Sequence, residues 1–320
     1  MTEFALGDQQ VQEIDKTLAT LSESTGPIDL RFANHWADDD ERPALLAAAL
    51  LGSLAEKTVR VDAVDEDAVD GLLRFGVATA LARRPPELTE FKGLTERLEP
   101  SRLRTLWSPA AVNSTDALFS ASEPEAAGSY GPRHATFVNP HLSTAADGCP
   151  DVIFLIRRWL NMRLLEQEVP DAKVEALVKT ISVSVDETVR NVHEHAADEE
   201  HPVPNCLLRI SLESKDQIRC SIFDTGIGLS SSLEAKRILP ELGAAERLSK
   251  LLAGEIEGWD AGRGTGLAYV TRLLREQEGR LTVASDRVRI RCERGGAVAE
   301  AEGFELQGTV LDLTLPIPGN

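Results

Sequence analysis

The stretch Asp224-Thr-Gly-Ile-Gly-Leu229 decides how this chain is read. It stands at the end of a predicted strand pair. Cys206-Leu-Leu-Arg-Ile-Ser-Leu212 and Gln217-Ile-Arg-Cys-Ser-Ile-Phe223 alternate apolar and polar residues, with a polar turn, Glu213 to Asp216, between them. The second strand runs straight into Asp224. A carboxylate at a strand end, followed by glycines, can accept a hydrogen bond from an exocyclic amine while bare backbone lets a flat ring approach. Taken alone, the string is also an ordinary Asp-Thr-Gly turn.

Upstream lies Glu187-Thr-Val-Arg-Asn191-Val-His-Glu-His195. Val174, Leu177, Ile181, Val185, Val189 and Val192 recur at spacings of three or four, which predicts one long helix. Pro170-Asp171 is its expected start, with Asp171 as cap. On that helix Glu187, Asn191 and His195 fall at i, i+4 and i+8, so they share a face beside the apolar stripe. Such a row is either a ligand-facing surface or a solvated polar face. His193 and His195 also raise a metal, but no third ligand accompanies them, and surface imidazoles are the simpler reading.

Downstream, Gly262-Arg-Gly264-Thr265-Gly266-Leu267 opens a predicted helix ending near Arg275. Glycine backbone feeding a helix N-terminus presents free N–H groups to an anion. No Gly-Lys-Ser/Thr follows, and no strand immediately precedes, so neither a Walker motif nor a dinucleotide fingerprint fits. The segment before it is read as helical from Leu233 to Leu252 and then acidic, with Gly243, Gly254 and Gly258 as hinge candidates. Gly279 to Ser285 and Val310 to Leu315 are predicted strands. Gly308-Thr309 precedes the last of them, and an insertion at 287–307, containing Gly295-Gly296, is expected to form an extra hairpin.

Taken in this order, the motifs resemble the ATP-binding domain shared by DNA gyrase B subunits, Hsp90 chaperones, sensor histidine kinases, MutL proteins and anti-sigma-factor kinases, the GHKL superfamily. The resemblance covers roughly the last half of the chain. It implies a two-layer α/β sandwich of the Bergerat type, with ATP and Mg²⁺ as cofactors. It also implies roles: Asn191 as the Mg²⁺ ligand, Glu187 as the catalytic group acting on the attacking nucleophile, and Asp224 as reader of the adenine amine. Gly226 and Gly228 would shape the pocket, with Gly262, Gly264, Thr265, Gly266, Leu267 and Thr309 around the nucleotide and His195 in the same binding row. Residues 230–261 occupy the place of the lid that closes over ATP. After the last strand no lysine-bearing domain follows, so rapid hydrolysis by the chain alone is not expected. The helical stretch Asp151 to Glu168 lacks a histidine, which argues against a sensor histidine kinase.

Composition bounds the remaining classes. The 320 residues suffice for two domains, and a formal net charge of -18 repels phosphate, disfavouring a general nucleic-acid or membrane-surface binder. Four cysteines, Cys149, Cys206, Cys220 and Cys292, are scattered without a CxxC pair and read as reduced thiols. No signal peptide or membrane-spanning run is evident, so a cytoplasmic protein is expected.

The first hundred residues have another rhythm. Pro27 to Phe32 and Val59 to Val64 read as strands, and Glu41 to Lys57 and Asp67 to Arg84 as helices, a small α/β unit. Its order, together with Leu73-Arg-Phe-Gly76, loosely resembles the STAS-type domains of anti-sigma-factor antagonists. Where those carry a phosphorylatable hydroxyl, this chain reads Asn34-His-Trp-Ala-Asp-Asp-Asp-Glu41. That acidic run either mimics a phosphorylated state or simply favours a helix N-terminus. The expected α+β organisation is therefore a STAS-like module at 1–107, a linker at 108–150 and an ATP-binding domain at 151–320. Within the linker, His134 to Asn139 is a candidate strand.

Three functions follow as expectations. The chain is an ATP·Mg²⁺-dependent regulatory protein, with a serine/threonine kinase like the anti-sigma-factor kinases as its specific form. Alternatively it is a slow or partner-activated ATPase subunit, or a nucleotide-binding module without catalysis. Protein partners are expected, with a homodimer among them.

Overall fold

The computed structural model describes residues 2–6, 18–32, 42–74, 77–98, 134–138, 150–196, 206–214, 216–256, 265–293 and 296–317. The chain is mixed α and β, with one parallel and one antiparallel sheet, and divides into two compact units. The first comprises 1–136 with 303–305, the second 137–302 with 306–320. The division falls inside the segment read as a linker.

In the first unit, strands β1 (Thr2–Leu6), β2 (Ile28–Phe32), β3 (Val59–Ala63) and β4 (Thr89–Gly93) lie side by side in chain order, all parallel. Register sets Ile28 beside Val59, Leu30 beside Val61 and Phe32 beside Ala63, all buried, so one sheet face is apolar. The other carries charge: Arg60 donates to Glu90 at 3.0 Å and lies 3.7 Å from Asp29. Because parallel crossovers share one hand, strands in chain order gather their helices on one face. Those helices are α1 (Arg42–Leu51), α2 (Glu66–Arg74) and α3 (Val77–Arg83). The single helix expected over Asp67 to Arg84 is thus two. Strands β1 and β4 are additions to the sequence reading. Just past α3, the buried guanidinium of Arg84 donates to the carbonyl of Leu50 in the last turn of α1 and to those of Leu54 and Lys57 in the turns that follow it.

The second unit is built on a five-stranded sheet, order β5 (His134–Val138), β6 (Cys206–Ser214), β7 (Gln217–Asp224), β9 (Gly296–Pro316), β8 (Arg280–Glu293). Strands β6, β7, β9 and β8 pair antiparallel. The 287–307 insertion continues β8 and β9 as a hairpin, with pairing carried out to Glu293 and Gly296. Among the described residues, five helices complete the unit: α4 (Pro150–Leu165), α5 (Asp171–His195), α6 (Leu229–Ala235), α7 (Ala244–Ala253) and α8 (Thr265–Glu276). Helix α5 packs on α4, α8 and β7, and α8 also touches β8. Asp171 is the first residue of α5 rather than its cap. Pro170 takes the cap position without a side-chain hydrogen bond, its fixed φ suiting a helix start. The helix expected over Leu233 to Leu252 is broken into α6 and α7, since Pro240 lacks the N–H an unbroken helix needs.

Period-two alternation gives this sheet two unlike faces. Towards α5 point Ile218, Cys220, Ile222 and Asp224 of β7, and beside them Leu315, Leu313, Leu311 and Thr309 of β9. On the opposite face, Arg209, Ser221, Asp312 and Thr282 stand in one cross-strand row, all buried. There Arg219 Nε lies 2.9 Å from Asp312 Oδ1 and its other nitrogen 2.6 Å from Oδ2, while Ser221 donates to Oδ1 at 2.6 Å. Both partners are 2% exposed. Cys206, Cys220 and Cys292 are free and buried in strands, and burial pushes the Cys220 thiol up; Cys149 lies outside the described residues. Among the described residues no helix is long and apolar enough to cross a membrane.

The buried pair yields a prediction. Asp312→Ala strands a dry guanidinium and should cost about 3–5 kcal/mol in denaturant unfolding, whereas the double change Arg219→Met with Asp312→Leu should recover most of that loss. A double variant no more stable than Asp312→Ala would show that shape, not charge pairing, sets the cost.

Candidate functional site

Helix α5 forms one wall of a cleft. Its stripe of Val174, Leu177, Ile181, Val185, Val189 and Val192 is buried as the periodicity requires. Ser182, Ser184 and Thr188 turn their hydroxyls back onto the carbonyls four residues earlier, so these polar groups enter the interior satisfied. Thr188, Asn191, Val192, His195 and Ala196 face the cleft from this helix.

The opposite wall is the turn after β7. Asp224 ends that strand and pairs in register with Thr309 of β9. Its Oδ1 accepts the Gly226 N–H at 2.8 Å, an Asx-type turn, and the Thr309 backbone N–H donates to the same carboxyl group. The Ile227 N–H then donates to the Ala196 carbonyl at 3.0 Å, pinning the turn to the end of α5. That contact explains Gly226: a Cβ there would run into the Ala196 carbonyl. Gly308 has φ +90°, and a Cβ on it would meet the Asp224 carbonyl, while Gly228, at φ +83°, hands the chain to α6. These are positions where only bare backbone fits.

Around this turn the first turn of α6 is tied down. The Leu229 N–H donates to the Thr309 hydroxyl (2.9 Å), Ser230 N–H to Ser285 (3.1 Å), and Ser231 hydroxyl to Asp286 (2.9 Å). Leu229, Leu267 and Leu311 give the cleft its apolar lining, with Gly228 and Ser232 beside them.

Electrostatically the cleft is dominated by Asp224, 4% exposed. Burial pushes its carboxyl up to about 7, against the pull of the two backbone N–H donors. At its outer end His195 Nδ1 stands 2.8 Å from Lys236 Nζ and Nε2 3.7 Å from Glu194. Glu187 does not line the cleft. Two turns before His195, its carboxylate lies against Gly266, the second residue of α8, leaving no room for a Cβ there. Asn191 stands between the two places on the same helix face.

The structure therefore gathers Asn191, His195, Asp224, Gly228, Leu267 and Thr309 into one cleft, places Gly226 behind it, and sets Glu187 and Gly266 together one helical turn or two away. Thr265 begins α8. Gly262 and Gly264 lie outside the described residues. Thr188, Val192, Ala196, Leu229, Ser232 and Leu311 are cleft residues that the sequence reading omits. Thr188 and Val192, neighbours of Glu187 and Asn191, and Leu229, the last residue of the Asp224 string, are the ones with a sequence signal. Among the described residues no group of three or more His, Cys, Asp or Glu stands close enough to hold a metal. No protein-family model matches the chain, and no curated protein matches it.

Asp224 predicts a pH signature. Its carboxyl rises from an ordinary 3.8 to about 7 on folding, so the folded state holds the proton more tightly between those values. Stability then falls as pH rises across that window and is level above it, by about 4 kcal/mol at most. Asp224→Asn, which does not titrate, should gain on the wild type between pH 4 and pH 8 in denaturant melts. Parallel profiles for the two proteins would refute the desolvated carboxyl.

Proposed function

We propose that the second unit binds ATP·Mg²⁺ and acts as a nucleotide-dependent regulatory module of the GHKL type. The observation that carries this reading is Asp224: a desolvated carboxylate at the floor of an apolar cleft, approached by bare glycine backbone. Two backbone N–H groups occupy part of its acceptor capacity, and adenine brings a further donor, an amine on a flat apolar ring. Further support comes from the layering, since an antiparallel sheet covered by α5 and α8 suits a Bergerat-type sandwich.

Asn191, half-buried at the cleft edge, would hold Mg²⁺ through its amide oxygen. One protein ligand suffices there, because Mg²⁺ keeps several waters and takes phosphate oxygens as partners. The start of α8 at Thr265 and Gly266 would receive the phosphates on backbone N–H groups. When bound, ATP·Mg²⁺ supplies a transferable phosphoryl group with its charge partly neutralised. Glu187, beside Gly266, is then the base that takes the proton from an attacking hydroxyl or water. The first unit, a parallel α/β module of STAS-like order, is the partner-facing half in this reading.

Calorimetry with ATP and GTP tests adenine reading. Asp224→Asn should weaken ATP binding by about 1.5–3 kcal/mol, the range for a hydrogen bond to a charged group, without loss of fold. Because the ionised carboxylate is the acceptor, adenosine affinity of the wild type should rise up to about tenfold from pH 6 to pH 8. Equal wild-type affinity for ATP and GTP sinks the assignment.

A second test divides binding from chemistry. Glu187→Ala should leave affinity nearly intact and abolish phosphate release or transfer, while Asn191→Ala should weaken Mg²⁺-dependent binding. If both lose ATP binding equally, the roles are wrongly divided. Hydrogen exchange across 230–261 should slow more with a non-hydrolysable ATP analogue than with ADP. Identical protection in the apo, ADP and analogue states rejects a switch in favour of a static site.

A further inference from the structure

The α4–α5 hairpin carries a groove that the nucleotide reading does not use. Four large apolar side chains are strongly exposed among the described residues: Val64, Phe154, Leu165 and Val298. Two of the four, Phe154 and Leu165, each 56% exposed, edge this one groove, whose floor is the buried pair Val174 and Val178. Two exposed apolar side chains at the ends of one groove with an apolar floor mark a candidate docking surface.

Charge along the groove says what covers it. Helices α4 and α5 run antiparallel, joined through residues 166–170. Away from that joint lie Phe154 and the exposed Arg157; beside it lie Leu165 and the exposed Asp171, with Glu175 one turn further. One end is thus apolar with a cation, the other apolar with carboxylates. A twofold axis lying in the interface and perpendicular to the groove's length brings opposite ends together, setting Phe154 towards the other copy's Leu165 and Arg157 towards its Asp171, twice over. Such self-complementarity is what an isologous interface requires.

We propose that this groove is the surface through which two copies of the chain pair antiparallel, each Arg157 against the other's Asp171. The inference stands apart from nucleotide binding. It has a consequence for it all the same, since the groove and the Glu187–Asn191 row share helix α5.

Sedimentation of the full chain, with and without charge reversal, is the test. The wild type should be a dimer at micromolar concentration, weakened by salt. Arg157→Asp opposes two carboxylates across the axis, and Asp171→Arg opposes two cations. Each variant alone should raise the dimer dissociation constant about tenfold or more. An equimolar mixture of the two should recover the dimer, because the mixed pair restores both opposite-charge contacts. Thermal melts check that each variant is folded; Glu175→Arg replaces Asp171→Arg if the start of α5 is damaged. A wild type that is monomeric at every concentration overturns the proposal and leaves the groove to another protein. A dimer indifferent to both reversals, or a mixture that stays monomeric, overturns it equally.

Discussion

The second unit depends on one constraint: a carboxylate must sit in a nearly dry cleft, and everything around it is arranged to keep it there. Asp224 is satisfied by the backbone of Gly226 and Thr309 rather than by a cation. Backbone donors can be that close only because β7 and β9 pair in the register that sets Asp224 beside Thr309. A slip of one residue would turn Asp224 to the other sheet face, away from the cleft and from α5. The buried Arg219–Asp312 pair joins the same two strands. It contributes little net stability against an apolar replacement, yet any slip separates its charges. The ion pair on one face thus guards the register on which the other face relies.

Helix α5 meets this constraint from the other side. Its final carbonyl groups would be unpaired in isolation. One of them, on Ala196, takes the Ile227 N–H, so the helix end is completed by the turn it helps to shape. That closeness excludes a side chain at residue 226 and makes the glycine a packing requirement of two elements at once.

How much of this is legible in the sequence differs by element, for physical reasons. Helix α5 is written in its own periodicity, and Asp224 with its glycines in a local turn signature. Thr309 is found through the glycine before it. Leu311 and Ser232 carry no such mark, because whether they face the cleft follows from strand register and from how α6 is pinned to Ser285 and Asp286. Strands β1 and β4 are missed for a related reason: they exist through pairing with β2 and β3, a non-local fact. The break between α6 and α7 is marked by Pro240, which outweighs the helical leucine spacing on either side.

Helix α5 spans about 30 Å from Asp171 to Asn191 at the usual rise per residue. Its first turns edge the α4–α5 groove, its middle carries Glu187 against α8, and its end closes the Asp224 turn. A rigid element of that length does not bend to suit one end without moving the other, because its apolar stripe is buried along the whole distance. Any partner seated on the groove therefore acts on the same body that holds Asn191, and any ligand drawn to Asp224 acts on the body that presents Asp171. Coupling of this kind needs no pathway of intermediate residues, only two arrangements of one helix that both occupants favour unequally.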